Sequence, residues 1–432
     1  MSKTTTKKIK PPNSLQGKIK ICPDKSITHR AVMLSSLAKG ETTIYNPLES
    51  ADCLCTAKGF QQMGVEIEFH PGKWIIKGGG LYGLQKPKKI IDAGNSGTTI
   101  RLLSGIIAGQ SFSAQITGDD SLRKRPMRRI MEPLRLMGAE IYGTDNQYPP
   151  LTIIGKKLKP LNYNLPVASA QVKSCILLAG LYPQGSTTVT EPLPSRDHSE
   201  RMLEYLGIPL RKNGNSITIR GGDEFSAKNM EIPGDISAAV FFAVAAIITK
   251  KSKIIIEKVG INPTRTGAIE ALRKMGAKIE IINCATINNE PLGDIVVESG
   301  QLKGVTIEAE MIPGLIDEIP ILAVAATQAV GVTSIRGAQE LRFKESDRIK
   351  TMTAELKKMG AKIESLPDGM IITGSTPLKG CATESYYDHR LAMSLTIAGL
   401  IAEGETVINN TECISTSFPD FYDCLEKLNS KL

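Results

Sequence analysis

The sequence predicts an α/β protein made of six related units, three in each of two domains. A first observation is a recurring helix-ending signature: Phe60-Gln61-Gln62-Met63-Gly64, Leu134-Arg135-Leu136-Met137-Gly138, Leu203-Glu204-Tyr205-Leu206-Gly207, Leu272-Arg273-Lys274-Met275-Gly276, Leu356-Lys357-Lys358-Met359-Gly360 and a degenerate Leu425-Glu426-Lys427-Leu428-Asn429. The closing Gly or Asn residues lie 74, 69, 69, 84 and 69 positions apart, the scale of a repeated supersecondary unit. A second signature marks the other half of each unit: a helix rich in small and apolar residues, then a turn and a strand. Third, the strand-like Gly17-Lys18-Ile19-Lys20-Ile21 stands ahead of the first repeat with no unit of its own.

Each amphipathic helix ends on Gly or Asn, residues that tolerate a left-handed cap. In the first five copies a segment of β character follows, as in residues 277–282. The small-residue helices fall at 27–38, 96–108, 169–181, 236–249, 317–329 and 389–402, and strands follow at 42–45, 186–190, 254–256 and 406–408. Residues 238–248 are apolar on every face, so that helix must be buried all round, against its sibling helices. The sixth unit runs out before its last strand, and the strand at 17–21 is expected to complete it. That makes residues 1–22 and 236–432 one discontinuous three-repeat domain and 23–235 a second, inserted one. Six repeats in one closed ring is the alternative the pattern leaves open.

The 432 residues are 41% hydrophobic and 22% charged, the balance of a globular chain with ample core. No apolar run is long enough to span a bilayer. Residues 1–10 are charged without an apolar segment behind them, so cytoplasm is the expected location. Eight scattered cysteines with no CxxC pair, and four histidines without metal spacing, predict reduced thiols and no metal. Cys53 and Cys55 read as buried thiols on one face of a strand. The net charge of +9 admits nucleic acid, a membrane surface or small anions. Aromatics are only 5% and the basic residues cluster beside glycine-rich turns, which favours small anions over nucleic acid.

Most of the small-residue helices begin with polar or charged residues. The first follows Pro23-Asp24-Lys25-Ser26 and carries Arg30, and the third begins Ser169-Ala170-Gln171-Val172-Lys173. The fifth begins Asp317-Glu318 and the sixth Asp388-His389-Arg390. In the second, Asp92-Ala93-Gly94-Asn95-Ser96-Gly97-Thr98-Thr99-Ile100-Arg101 is a glycine-containing loop in which Asn95 or Ser96 can cap the helix. Such a start offers unpaired N–H groups and the positive end of the helix dipole to phosphate or carboxylate. One such start is most simply a capped turn; five in equivalent repeats converge on one place and suggest a cleft between domains, lined by helix N-termini, Lys and Arg, that binds an anion-rich substrate.

Two basic segments add to this. Residues 123–129, Arg-Lys-Arg-Pro-Met-Arg-Arg, form a loop and the first turn of a helix. In Arg342-Phe343-Lys344-Glu345-Ser346-Asp347-Arg348 the i, i+4 spacing puts Lys344 and Arg348 on one helix face with Glu345 beside them. Residues 78–83 match GxGxxG but lead into Gln85-Lys86-Pro87 rather than a helix, so the dinucleotide reading fails.

Together these motifs resemble the 5-enolpyruvylshikimate-3-phosphate synthase family over essentially the whole chain, and in the family's order. Ser169-Ala170-Gln171, Arg125-Pro126-Met127-Arg128 and Arg196-Asp197-His198-Ser199-Glu200 are similar to its second bacterial class, many of whose members tolerate glyphosate. The resemblance implies a two-domain inside-out α/β barrel of enolpyruvyl transferase type, with βαβαββ repeats closing over a cleft. It implies transfer of the enolpyruvyl group of phosphoenolpyruvate to the 5-hydroxyl of shikimate 3-phosphate, without metal or cofactor, nucleic acid or membrane partner, by a monomer. By the family's pattern Lys25, Ser26, Arg30, Ser169, Ala170, Gln171, Ser195, Arg196, Asp317 and Lys344 hold shikimate 3-phosphate. Lys25, Asn95, Gly97, Arg125, Gln171, Glu345, Arg348 and Arg390 hold phosphoenolpyruvate. Asp317 is implied as base at the 5-hydroxyl, with Glu345 and Lys25 moving the proton at the methylene.

Three departures stand out. Ala170 replaces a second serine, Glu340 an asparagine, and Thr416 a lysine expected at phosphoenolpyruvate. The rival with the same repeats, UDP-N-acetylglucosamine enolpyruvyl transferase, resembles a Lys-Asn start and a loop cysteine acting as acid. This chain has Lys25-Ser26 and no cysteine in its basic loop. A basic repeat-built nucleic-acid binder would explain the charge but not the helix starts.

Overall fold

The computed structural model describes residues 5–429. The chain forms two compact units: one takes everything up to Cys22, Pro233–Ala285 and the chain from Pro291 on, the other Pro23–Ile232 and Thr286–Glu290.

In the second of these, the pattern is plainest in the middle repeat. Strand Ile91–Asp92 leads into helix Gly97–Ala108, then strand Ser113–Thr117, helix Arg128–Leu136 and the hairpin Glu140–Thr144 with Tyr148–Ile154. The opening strand runs parallel to Ser113–Thr117, and the hairpin adds antiparallel beyond it. The order βαβαββ recurs from Asn162–Asn164 to Ser216–Gly221. The first repeat lacks an opening strand of its own and takes Met230–Glu231 from the end of the unit, parallel to Lys39–Tyr45.

The other unit borrows in the same way, but differently from expectation. The strand predicted at 17–21 is Gln16–Lys20, and it opens the fourth repeat, parallel to Lys253–Gly260 with Ile19 opposite Ile256. It does not complete the sixth. Thr6–Ile9 does that, antiparallel to Thr406–Asn409. Only Ile9 of that strand is buried, so it carries no apolar alternation by which a sequence reading could find it.

Inside each unit the three small-residue helices form the core, with sheets and amphipathic helices packed around them. Lys25–Leu37, Gly97–Ala108 and Ala170–Ala179 fill one unit; Ile236–Ile248, Ile319–Thr327 and His389–Gly399 fill the other. In Ile236–Ile248 every residue but the last is buried. Phe241 and Phe242 meet Phe418 and Phe421 at ring-centroid distances of 5.5 to 6.4 Å. Such pairs add about 0.5–1.5 kcal/mol beyond their burial. The amphipathic helices end as the signature requires, with Gly64, Gly138, Gly207, Gly276 and Gly360 all at positive φ.

Two local expectations fail for identifiable reasons. Cys53 and Cys55 lie on helix Ala51–Gln62, where Cys53, Thr56, Ala57 and Phe60 form the buried stripe, so the two thiols face differently. The helix predicted from 317 is a 3-10 turn, Ile316–Glu318, followed by Ile319–Thr327; Pro320, with no N–H to give, sits at the α-helical start.

Helices Gly97–Ala108 and Ala170–Ala179 pack closely at Gly105, where an added methyl would run into the Cys175 carbonyl. Gly105→Ala should therefore destabilise the protein by about 1–3 kcal/mol through overpacking, although Ala favours helix intrinsically. Denaturant unfolding checks the sign; a gain in stability would mean the helices can move apart.

Candidate active site

The predicted residues fall into two half-sites, one in each unit. In the first, Asp24 caps helix Lys25–Leu37 by accepting from the Ile27 N–H at 2.8 Å. That fixes Lys25 in the first turn, where its Nζ lies 3.1 Å from Asp52 Oδ2. Arg30 is buried, with each of its three nitrogens engaged: Nε donates to Ser199 Oγ at 2.7 Å, Nη2 to Ser174 Oγ at 2.8 Å and Nη1 to the Ser26 carbonyl at 3.0 Å.

The loop at 92–101 works as a cap in the predicted place, with Ser96 rather than Asn95 accepting from the Thr99 N–H at 3.0 Å. Asn95 instead ties the basic loop down. Its Oδ1 accepts from Arg125 Nη2 at 2.7 Å and its Nδ2 donates to Asp119 at 2.7 Å. Arg101 Nη1 donates to Gln171 Oε1 at 2.9 Å, and Gln171 Nε2 donates to Thr98 at 3.0 Å. A methyl on Gly97 would stand 2.6 Å from Arg101 Nη1 and 3.5 Å from Arg125 Nη1, so the glycine leaves room for two guanidinium groups. Ser169 caps the next helix, Ala170 is its first residue, and Gln171 and Ser174 on it reach these two clusters. Ser195 is buried and Arg196 half-buried.

Below this surface His29 is buried, with Nδ1 2.7 Å from Thr56 Oγ1, which in turn lies 2.6 Å from Thr99 Oγ1. Burial, then Lys25 and Arg30, lower its pKa, so the imidazole is neutral and structural. Burial also pushes the Cys175 thiol up to about 12, which leaves it unreactive.

The second half-site is built on one guanidinium. Arg348 is buried at the start of helix Arg348–Lys358. Its Nε donates to Asp388 Oδ2 at 2.8 Å, Nη2 to Glu345 Oε2 at 2.6 Å and Nη1 to Asp317 Oδ1 at 3.4 Å. Burial alone would lower its pKa; Asp388, Glu345 and Asp317 more than offset that and raise it. Lys344 Nζ reaches the same Asp317 oxygen at 3.1 Å. Lys344 is not on the helix with Arg348, as its spacing suggested. Asp347 caps the helix by accepting from the Lys350 N–H, which starts it at Arg348 and leaves Lys344 in extended backbone. The two cations still meet, through Asp317. Arg390 lies 3.9 Å from Glu318 Oε1 and 5.8 Å from the centre of the Phe241 ring.

Several contributors escaped the sequence reading. Asp52, Asp388 as partner of Arg348, and Arg265, whose Nη2 meets Asp235 at 3.3 Å and Ser237 at 2.7 Å, were not singled out. Lys25 and Arg30 on a helix of small and apolar residues did signal that buried partners were needed, but not which ones. Of the departures, Thr416 donates its hydroxyl to the Cys413 carbonyl within its own 3-10 turn, and Glu340 sits in the turn Gln339–Phe343. Among the described residues, no group of three or more His, Cys, Asp or Glu is placed to hold a metal, and no helix is long and apolar enough to cross a membrane.

Comparison with known proteins finds a family model described as EPSP synthase (3-phosphoshikimate 1-carboxyvinyltransferase) that matches residues 9–425. The 3-phosphoshikimate 1-carboxyvinyltransferase of Thermodesulfovibrio yellowstonii is 52% identical over 424 residues, 97% of this chain and 99% of that protein. That of Bacillus cereus strain B4264 is 51% identical over 419 residues, 96% of this chain and 97% of that protein. The solved EPSP synthase structure from Acinetobacter baumannii superposes with a TM-score of 0.88 at 45% identity, covering 98% of each chain.

Asp388→Asn keeps size and cap but removes one buried negative charge from Arg348. Breaking a buried pair of this kind should destabilise the protein by about 3 kcal/mol, read by denaturant unfolding. An unchanged midpoint would show that Glu345 and Asp317 alone satisfy the guanidinium.

Proposed function

The chain belongs to the EPSP synthase family, and from that premise we propose how its two half-sites share the work. The reaction transfers the enolpyruvyl group of phosphoenolpyruvate to the 5-hydroxyl of shikimate 3-phosphate and releases phosphate. The hydroxyl oxygen must bond to the central carbon of the enol while its own proton leaves and the methylene carbon gains one. Phosphate then departs as the methyl group gives up a proton, restoring the double bond. Chemistry of this kind needs a base, an acid and enough cations for two phosphates and two carboxylates.

On this reading Lys25, Ser26, Arg30, Ser169, Gln171, Ser195 and Arg196 in one unit, with Asp317 and Lys344 in the other, hold shikimate 3-phosphate; Ala170 adds backbone only. Lys25, Asn95, Gly97, Arg125 and Gln171, with Glu345, Arg348 and Arg390, hold phosphoenolpyruvate. Asp317 takes the hydroxyl proton, while Glu345 and Lys25 carry the proton at the methylene. One observation supports this most: Asp317 and Glu345 are bound to the same buried Arg348, which sets two carboxylates for proton transfer around a fixed cation. The two units are the two domains of the enzyme, and the reading makes it a cytoplasmic monomer that works without metal or cofactor.

Purified protein should release phosphate only when shikimate 3-phosphate and phosphoenolpyruvate are supplied together. Release that instead depends on UDP-N-acetylglucosamine would overturn the assignment. Asp317→Ala should lower kcat by about 100-fold or more while shikimate 3-phosphate still binds, as expected when a positioned general base is lost. Unchanged turnover would remove Asp317 from that role.

A further inference from the structure

Lys173 is a lysine inside a buried helix, with its side chain 1% exposed. Its Nζ lies 2.7 Å from Glu191 Oε2 and 2.7 Å from Glu200 Oε1, and both carboxylates are equally buried. The third direction is also used: Nζ donates to the Ser195 carbonyl at 3.2 Å. Glu191 reaches the same serine from the other side, accepting from its backbone N–H at 3.4 Å and, in a short contact, from its hydroxyl. Every polar atom of Ser195 is thereby held by Lys173 or by a carboxylate that Lys173 holds.

Such an arrangement is expensive merely to join two elements. Burying one ammonium and two carboxylates carries a large desolvation penalty, which apolar side chains of similar volume would avoid. Burial pulls the pKa of Lys173 down, but Glu200 and Glu191 outweigh it and leave the value raised, so the ammonium stays charged. Its surroundings include the partners of Arg30. Ser174, the next residue, accepts from Arg30 and from Ser199, and Ser199 precedes Glu200. The ion cluster thus holds Ser195, the residue before Arg196, and lies next in sequence to both serines that Arg30 engages.

We propose that Lys173 is a positioning residue for shikimate 3-phosphate: clamped by Glu191 and Glu200, it fixes Ser195 and the adjoining Arg196 for the substrate's phosphate. This rests on the reading of Ser195 as a shikimate 3-phosphate residue. A consequence follows from the donor count. The Ser195 hydroxyl proton is directed at Glu191, whereas a phosphate dianion needs it as donor. On binding, the hydroxyl rotates from the carboxylate to the phosphate, and Glu191 keeps the ammonium of Lys173 as partner. No covalent bond changes; one hydrogen bond is exchanged for another.

The test uses the full-length enzyme and the variants Ser195→Ala, Lys173→Met, Glu191→Gln and the double variant Lys173→Met with Ser195→Ala. Ser195→Ala should raise KM for shikimate 3-phosphate about tenfold, the loss of one hydrogen bond to a charged group. Lys173→Met should raise the same KM by at least as much, with KM for phosphoenolpyruvate and kcat nearly unchanged. The double variant should be no worse than the poorer single one, because both changes remove one device. If Lys173→Met fails to fold, Glu191→Gln carries the test, since it keeps volume and removes the charge that ties Lys173 to Ser195. It should raise only the shikimate 3-phosphate KM. A folded Lys173→Met or Glu191→Gln enzyme with both KM values unchanged, while Ser195→Ala is impaired, overturns the proposal. Equal loss for both substrates, or additive losses in the double variant, overturns it too, by showing a general structural role. An unimpaired Ser195→Ala enzyme instead overturns the reading of Ser195 on which it rests.

Discussion

A helix whose body is buried in the core must still satisfy the N–H groups of its first turn, and that requirement organises each unit. A side chain that caps the turn satisfies part of them and fixes where the helix starts. Asp24, Ser96, Ser169, Asp235 and Asp388 each accept from the first turn of their own helix. The exception is instructive. Helix Ile319–Thr327 has Pro320 near its start and a 3-10 turn ahead of it, so it has one N–H fewer to satisfy, and Asp317 and Glu318 are available for other contacts. The helix that gives up its cap is the one whose leading carboxylate meets Lys344 and Arg348.

Caps alone would produce anion-binding helix ends and nothing more. Charges buried behind them do the rest, and in each unit a buried cation gathers carboxylates. Arg348 gathers Asp388, Glu345 and Asp317; Lys173 gathers Glu191 and Glu200. In both, removing the cation would leave buried carboxylates without their counter-charge, which is far more damaging than removing a surface ion pair. The same arithmetic explains the strained turn before Asp388. Tyr386 and Tyr387 both have positive φ, a conformation that bulky residues adopt only under constraint. Tyr386 donates its hydroxyl to the buried Glu355 at 2.8 Å, and Ser385 Oγ accepts from the Tyr387 N–H at 3.1 Å. These contacts hold the loop that delivers Asp388 to Arg348.

How much of this was legible in the chain depends on what kind of signal a residue carries. Repetition and glycine caps are local, so the units and the left-handed Gly64 to Gly360 series were readable, as was the capped loop at 92–101. Partner choice is not local. The strand at 17–21 has the right alternation for a sheet, but nothing in it says which sheet; the deciding fact is its parallel pairing with Lys253–Gly260. Lys344 and Arg348 carry helical spacing, yet Asp347 caps between them and breaks the helix that the spacing assumed. Lys173 was read as part of a polar helix start and not as a buried ion-pair centre, because Glu191 and Glu200 lie 18 and 27 positions away. The candidate site was legible as residue types and motifs, and illegible as pairs.

On the proposed reading, the two half-sites differ in what they offer an anion. Arg30, Ser169, Ser195 and Gln171 bring a guanidinium, hydroxyls, an amide and helix starts, groups that hold a phosphate without exchanging protons with it. Asp317, Glu345, Lys344 and Arg348 bring carboxylates already paired with cations, where an arriving anion competes with Asp317 and Glu345 for the same donors. Gly97 belongs to the holding side of this division. It contributes no group of its own, and its missing side chain lets Arg101 and Arg125 come near the helix start together.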